Sequence, residues 1–286
     1  DWVAVAAGER VERVEHGDGT ASERWRMHVP HPPYLTTLVA GEFDVIEERY
    51  GDLPLLYLVE EPLVAAAKTA FAGTGDVLAF LEGLTGRRYP YAKYSQACVA
   101  GFPYGGMENA SATTLTDTML RDERGLRDYD PTDLIVHEAA HQWFGDLLTC
   151  ADWSHVWLNE GLATYAELLY VEARGGVDDF RARVRDAQES YLKADVGATR
   201  RPIVHDVYID PFDLFFGGHT YPGGASRMHL LRFRLGDELF FAGLRRYVAD
   251  NQNQGVVTGD LCAAFEAVSG QDLGRFFAQW LYSPGF

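Results

Sequence analysis

Asp133-Leu134-Ile135-Val136-His137-Glu138-Ala139-Ala140-His141-Gln142-Trp143-Phe144-Gly145 is the stretch around which the rest of the chain is organised. In an α-helix, residues four apart lie one turn above each other on the same face, so His137 and His141 aim two imidazoles at one point in space. Such a pair chelates a metal ion. Glu138 follows the first histidine directly, beside the metal position but offset from it, where its carboxylate can take a proton from a water molecule. Helices that merely carry two hydrogen-bonded histidines show the same H-E-x-x-H spacing, so a third ligand decides the reading.

That ligand is Glu160, nineteen positions beyond His141, in Trp157-Leu158-Asn159-Glu160-Gly161-Leu162-Ala163-Thr164-Tyr165-Ala166-Glu167. The segment is apolar at helical spacing, lacks proline and stops at Gly175-Gly176, all signs of a helix. Solvated glutamates are common in first helical turns, but Glu160 sits among Trp157, Leu158 and Leu162 rather than on a charged face. Two antiparallel helices joined by a loop would bring it opposite the histidine pair. Three protein ligands with an open fourth position make a catalytic zinc site, whereas four protein ligands close a structural one.

His137-Glu138-x-x-His141 with Glu160 after eighteen intervening residues, and Gly105-Gly106-Met107-Glu108-Asn109 upstream, together resemble the gluzincin zinc aminopeptidases of the aminopeptidase N type. The resemblance runs from Pro33-Tyr34-Leu35 to Trp280-Leu-Tyr-Ser-Pro-Gly-Phe286. It implies an N-terminal exopeptidase on a thermolysin-like catalytic domain that binds one zinc ion per chain.

Composition sets looser bounds. A chain of 286 residues with 47% hydrophobic content can bury a sizeable core. A net charge of −17 excludes nucleic acid as a natural partner, because phosphate binding needs a basic face. Lysine occurs only at Lys68, Lys93 and Lys193, a usage that reads as the codon bias of a GC-rich genome. Cys98, Cys150 and Cys262 are odd in number and widely spaced, which argues against a disulfide framework and for a reducing, cytoplasmic setting. Neither a membrane-spanning run nor a signal peptide is visible, so no membrane partner is expected.

Along the chain, Val11–Glu15 and Glu23–Val29 flank Gly17-Asp18-Gly19 and read as a hairpin. By the resemblance, residues 1–47 are the last strands of an N-terminal β-domain and residues 48–286 the catalytic domain. The glutamine- and glutamate-bearing segment with which the family's β-domain helps to hold a substrate N-terminus has no match here, nor has the long helical C-terminal domain of many members. The chain is therefore expected to be a piece that associates with a separate N-terminal domain. Leu53–Val59 reads as a strand, about 62–84 as a helix, and 94–100 and 111–116 as apolar strands. Strand, helix, strands and then a metal-binding helix make an α+β fold, mostly helical with a small mixed sheet.

Paired glycines let a backbone approach a ligand closely, and an exposed edge strand beside Gly105-Gly106 can hydrogen-bond an extended peptide. An ordinary glycine turn with an acidic tip would look the same. The resemblance implies that Gly105, Gly106, Met107, Glu108 and Asn109 bind substrate, with Glu108 pairing with its free α-ammonium. The metal helix opens at Asp130-Pro131, with Asp130 as N-cap. Glu167 and Asp146 are both candidates to orient the histidine ligands.

Helices are expected near 178–194, from Met228 to Leu235, and near 237–250, 259–268 and 273–282, with Thr258 as a cap for the helix at 259–268. Between the first two, Tyr221 falls in register with the family tyrosine that donates to the tetrahedral oxyanion, although Gly223 stands where the family has lysine. Tyr208, Tyr165 and Tyr191 are the other candidates, and His219 reads as a loop residue. The expected activity is zinc-dependent removal of N-terminal residues from peptides with a free N-terminus. Zinc would be held by His137, His141 and Glu160, with Glu138 as base and Tyr221 as oxyanion donor. The alternatives are a thermolysin-like endopeptidase, which has no need of Glu108, and a non-catalytic scaffold retaining the fold.

Overall fold

The structure, a computed structural model, describes residues 2–285. They divide into two compact units, one formed by the residues up to Ala79 with Tyr89–Gln142, the other by Phe80–Arg88 with the residues from Trp143 onward.

The first unit begins with β1 (Val3–Ala6), β2 (Glu9–Glu15), β3 (Ala21–Arg26) and β4 (Leu38–Gly41). Strands β2 and β3 form the expected hairpin, with a register shift between Arg10 and Glu12, and β1 pairs antiparallel with β4. Next come β5 (Asp44–Tyr50), β6 (Leu53–Val59), α1 (Val64–Phe71), α2 (Thr74–Thr85), β7 (Tyr94–Val99), β8 (Gly106–Met107) and β9 (Ala112–Thr116). Strands β5 to β9 build one mixed five-stranded sheet in the order β5-β6-β7-β9-β8. The run Leu-Pro-Leu-Leu-Tyr-Leu-Val makes β6 apolar on both faces, as an interior strand must be, while charged Glu47, Glu48 and Arg49 mark β5 as an edge. Val5, Val39, Leu58 and Ala97 form a buried cluster that joins the small pair β1-β4 to this sheet.

One expectation needs correction here. The helix expected over about 62–84 is a short turn, Glu61–Leu63, followed by two helices that break at Ala72-Gly73. Glycine is a poor helix former, and the hydroxyl of buried Thr74 accepts a hydrogen bond from Gln96 Nε2 (3.2 Å), which fixes the new helix start. Strand β5 pairs with β6 along its whole length, from Asp44 opposite Val59 to Tyr50 opposite Leu53.

The first unit ends with the metal helix α3 (Thr132–His141). The helix stops sooner than its apolar pattern suggests: Gln142 closes it, and Trp143–Gly145 turn away with Gly145 at φ 136°. Asp130 behaves as expected, accepting the Thr132 N–H at 2.9 Å.

In the second unit β10 (Leu148–Cys150) precedes α4 (Trp157–Gly175), α5 (Val177–Ala194), α6 (Gly224–Leu235), α7 (Asp237–Asn251), β11 (Gln254–Val256), α8 (Thr258–Ser269) and α9 (Gly274–Trp280). These helices match the expected segments to within a few residues. Arg232 of α6 holds Glu172 of α4 (2.6 and 3.2 Å) and Asp237 of α7 (2.8 and 3.0 Å), fastening three helices with paired guanidinium bonds. Thr258 is a tie rather than a cap: buried, it accepts the Trp157 Nε1–H at 2.9 Å, while Asp260 takes the Val257 N–H. Among the described residues no single helix is long and apolar enough to cross a membrane.

Candidate metal and peptide site

The H-E-x-x-H residues lie on α3, whose inner face is made by Ile135, Val136, Ala139 and Ala140, all buried. Packing on small residues holds the helix rigidly, so its ligands are fixed by backbone position. His141 is buried and His137 half-buried, and their Nε2 atoms face each other at 3.0 Å. That separation is near the ~3.3 Å edge between two ligands ~2.0 Å from a tetrahedral zinc. His137, His141 and Glu160 each offer a ligand atom, and all three atoms lie within 4.8 Å of one another. Two imidazoles and a carboxylate are the donor set of a catalytic metal site, and the residues present fit such an ion. Glu138 is buried, with its carboxylate against the backbone of Gly106, and a Cβ built on Gly106 would overlap it. Any side chain there would push the Glu138 carboxylate aside.

The Gly105–Asn109 loop carries β8 at the end of the sheet. Gly106 and Met107 pair with Leu115 and Thr114 of β9, and Gly105 O accepts the Thr116 N–H at 2.9 Å. Strand β8 is thus the edge strand itself, only two residues long, instead of a neighbour of the loop. Glu108 is buried at the strand's end. Asn109 turns inward, its Oδ1 accepting from Thr114 Oγ1 at 2.9 Å, so its side chain shapes the loop.

Glu160 is buried in the first turn of α4, next to Gly161. There α4 meets the segment before α6 so closely that a Cβ on Gly161 would lie 2.8 Å from Gly224 Cα and 3.2 Å from Thr220 O. Tyr221 belongs to that segment, a π-helical turn over His219–Gly223, and is half-buried. Such turns are rare and frequent at functional sites. Buried His219 anchors the turn through Asp195 Oδ1 (3.2 Å), and burial, the larger effect, holds its imidazole pKa below the ordinary value while that bond opposes the shift. Gly223 has no room for the lysine of the family pattern: its Cβ would sit 2.9 Å from both Gly218 O and the Tyr191 ring.

Tyr165 is buried with its hydroxyl 3.3 Å from His229 Nδ1, and the Tyr191 hydroxyl lies 3.1 Å from two acceptors, Asp195 Oδ2 and Gly285 O. Tyr208 is half-buried, as Tyr221 is. Of the two acids considered for orienting the histidines, Asp146 is buried and Glu167 half-buried.

Sequence reasoning missed Gln142. Its side chain is fully buried, with Oε1 accepting the Ser111 N–H (2.8 Å) and the Tyr89 O–H (3.1 Å), while Nε2 donates to Glu108 O (3.3 Å). Its only sequence signal is its place directly after His141.

The Peptidase family M1 domain matches residues 69–280, and the chain belongs to that family. Among curated relatives, aminopeptidase M1 of Arabidopsis thaliana is 29% identical over 259 residues, covering 88% of this chain and 30% of the relative. Aminopeptidase N of Streptomyces lividans is 31% identical over 264 residues, covering 88% and 31%. Tricorn protease-interacting factor F2 of Thermoplasma acidophilum is 29% identical over 259 residues, covering 88% and 33%. The chain thus spans about a third of the length of these relatives, and the family read from the two motifs is the family found.

Proposed function

We propose that this chain is the catalytic portion of a zinc aminopeptidase, a gluzincin that removes the N-terminal residue of peptides. The observation that carries the proposal is the convergence of His137, His141 and Glu160. Zinc bound to these three residues would polarise the scissile carbonyl and ease deprotonation of a water molecule. Glu138 removes a proton from the attacking water and passes a proton to the leaving amine. Tyr221 donates a hydrogen bond to the oxyanion, a contribution of about 3–4 kcal/mol where such donors have been removed. The edge strand Gly106–Met107 pairs with an extended peptide, Gly105 and Asn109 shape the loop, and Glu108 receives the α-ammonium. An internal peptide bond presents no cation to Glu108, so the buried carboxylate selects the chain end. Cytoplasmic location belongs to the same proposal, supported by Cys98, Cys150 and Cys262 being thiols rather than disulfides.

The test is a mass-spectrometric time course on one peptide with a free and with an acetylated N-terminus, with and without a zinc chelator. Stepwise, chelator-sensitive loss of residues from the free form alone is the expected result. Cleavage of the acetylated form would make the chain an endopeptidase. No cleavage of either, with a separate N-terminal domain added back, would make it a scaffold.

A further inference from the structure

Ser111 has φ 62°, a left-handed conformation that serine rarely adopts and that persists where the surroundings over-determine it. Here they do. Gln142 Oε1 takes the Ser111 N–H, and Ser111 O accepts from Ser95 N (3.0 Å), Ser95 Oγ (3.2 Å) and Lys93 Nζ (2.9 Å). Ser111 Oγ accepts the Gly8 N–H at 2.8 Å. This is the residue at which the chain turns from the Glu108 loop into β9. The loop is therefore clamped just beyond Glu108 by Gln142, which also binds the carbonyl of Glu108 itself. Both lone pairs of Oε1 are filled and an Nε2 hydrogen is used, so the amide has a single orientation. One peptide bond away stands His141.

We propose that Gln142 is a positioning residue that sets the distance between the metal-binding helix and the Glu108 carboxylate, and thereby the one-residue register of an exopeptidase. The inference rests on the reading of Glu108 as the amine anchor. An enzyme that counts a single residue from the chain end needs its ammonium site and its reacting centre held at a fixed span. A misplacement of about 1 Å at such a site is worth roughly a hundredfold. Gly106, whose lack of a Cβ admits Glu138, sets the near end of that span. Gln142 sets the far end, through hydrogen bonds to buried backbone that no substrate replaces.

The experiment is calorimetric binding of leucinol and of N-acetyl-leucinol, which lack the scissile amide, to the zinc-loaded chain, for wild type, Gln142→Met, Glu108→Ala and the double variant, with zinc content measured on each. Wild type is expected to prefer the free amine. Gln142→Met is expected to keep its zinc and lose about tenfold of that preference, short of the roughly hundredfold of a full misplacement. In the Glu108→Ala background, Gln142→Met is expected to change nothing further, because both act through one carboxylate. Additive losses in the double variant, or an unchanged preference in Gln142→Met, overturn the inference. A preference indifferent to Glu108→Ala removes the anchor reading instead, and the inference with it. Should Gln142→Met not fold, Gln142→Glu carries the same test: it keeps the acceptor for Ser111 and Tyr89 and replaces only the donor to Glu108 O. A full wild-type preference in that variant overturns the inference equally.

Discussion

Glu138 lies against the backbone of Gly106 and follows His137, the first histidine of the candidate metal cluster, so one carboxylate links α3 and the edge strand. Glu138→Gln keeps the side chain's shape but cannot accept a proton. It is expected to retain zinc by metal analysis and to lower kcat about 10²- to 10⁴-fold, the range of positioned proton transfer; loss of metal or full turnover would count against Glu138 as base. The facing of His137 and His141 was legible in sequence because an i, i+4 spacing follows from helix geometry alone. Gln142, Ser111 and Lys93 were not, because a hydrogen-bonded clamp and a left-handed φ arise only when distant segments meet. Lys93 offers a pH test of that clamp. Burial pushes its ammonium pKa down to about 7 from 10.5. Between those values the unfolded chain carries a proton that the folded chain has released, so stability contributed by this group rises with pH across that window and is constant below it. The urea midpoint of wild type relative to Lys93→Met is therefore expected to climb from neutral pH to about pH 9. Parallel curves would show that Lys93 keeps its proton in the folded chain.

Strands and helices were read well where periodicity was long, as in α4 and α5, and less well where a glycine or threonine interrupts an apolar run, as between α1 and α2. Helix α3 ends at His141 although Trp143, Phe144, Leu147 and Leu148 continue its apolar character; these four are buried beyond the helix, in a turn and β10. The crossing of α4 with the π-helical turn before α6 was invisible. Glycine occurs at both contact points, Gly161 and Gly224, but sequence separates them by sixty-three positions. That crossing sets Gly161, the residue after Glu160, against Gly224, three residues after Tyr221. A methyl group on Gly224 would meet Gly161 Cα at 2.8 Å, a backbone atom that cannot swing aside. Gly224→Ala is expected to destabilise by about 1–3 kcal/mol, as overpacking does, and to lower kcat as Tyr221 shifts. A variant that unfolds like wild type would mean that the helices separate freely there. Pairing Gly224→Ala with Tyr221→Phe separates the two effects: kcat should fall little further in the double variant if the methyl group acts through Tyr221.

Across the whole molecule, a net charge of −17 makes any dication a general stabiliser, since counterions relieve the mutual repulsion of carboxylates. A specific metal site has to be distinguished from that background. An ion bound only by the folded chain stabilises it by RT ln(1 + [L]/Kd), about 2.7 kcal/mol at a hundredfold excess over Kd. The candidate ligands His137, His141 and Glu160 come from chain positions that are not adjacent, so the unfolded chain presents no preformed site. Chelation should lower the thermal midpoint, zinc should restore it at near-stoichiometric amounts, and magnesium at the same concentration should not, because hard oxygen-seeking ions bind imidazole poorly. Glu160→Gln should lose most of the zinc effect and keep whatever small response magnesium produces, since only the first depends on the ligand. Equal responses to zinc and magnesium, or a zinc response that survives Glu160→Gln, would assign the stabilisation to the acidic surface and leave the three-ligand cluster without a metal.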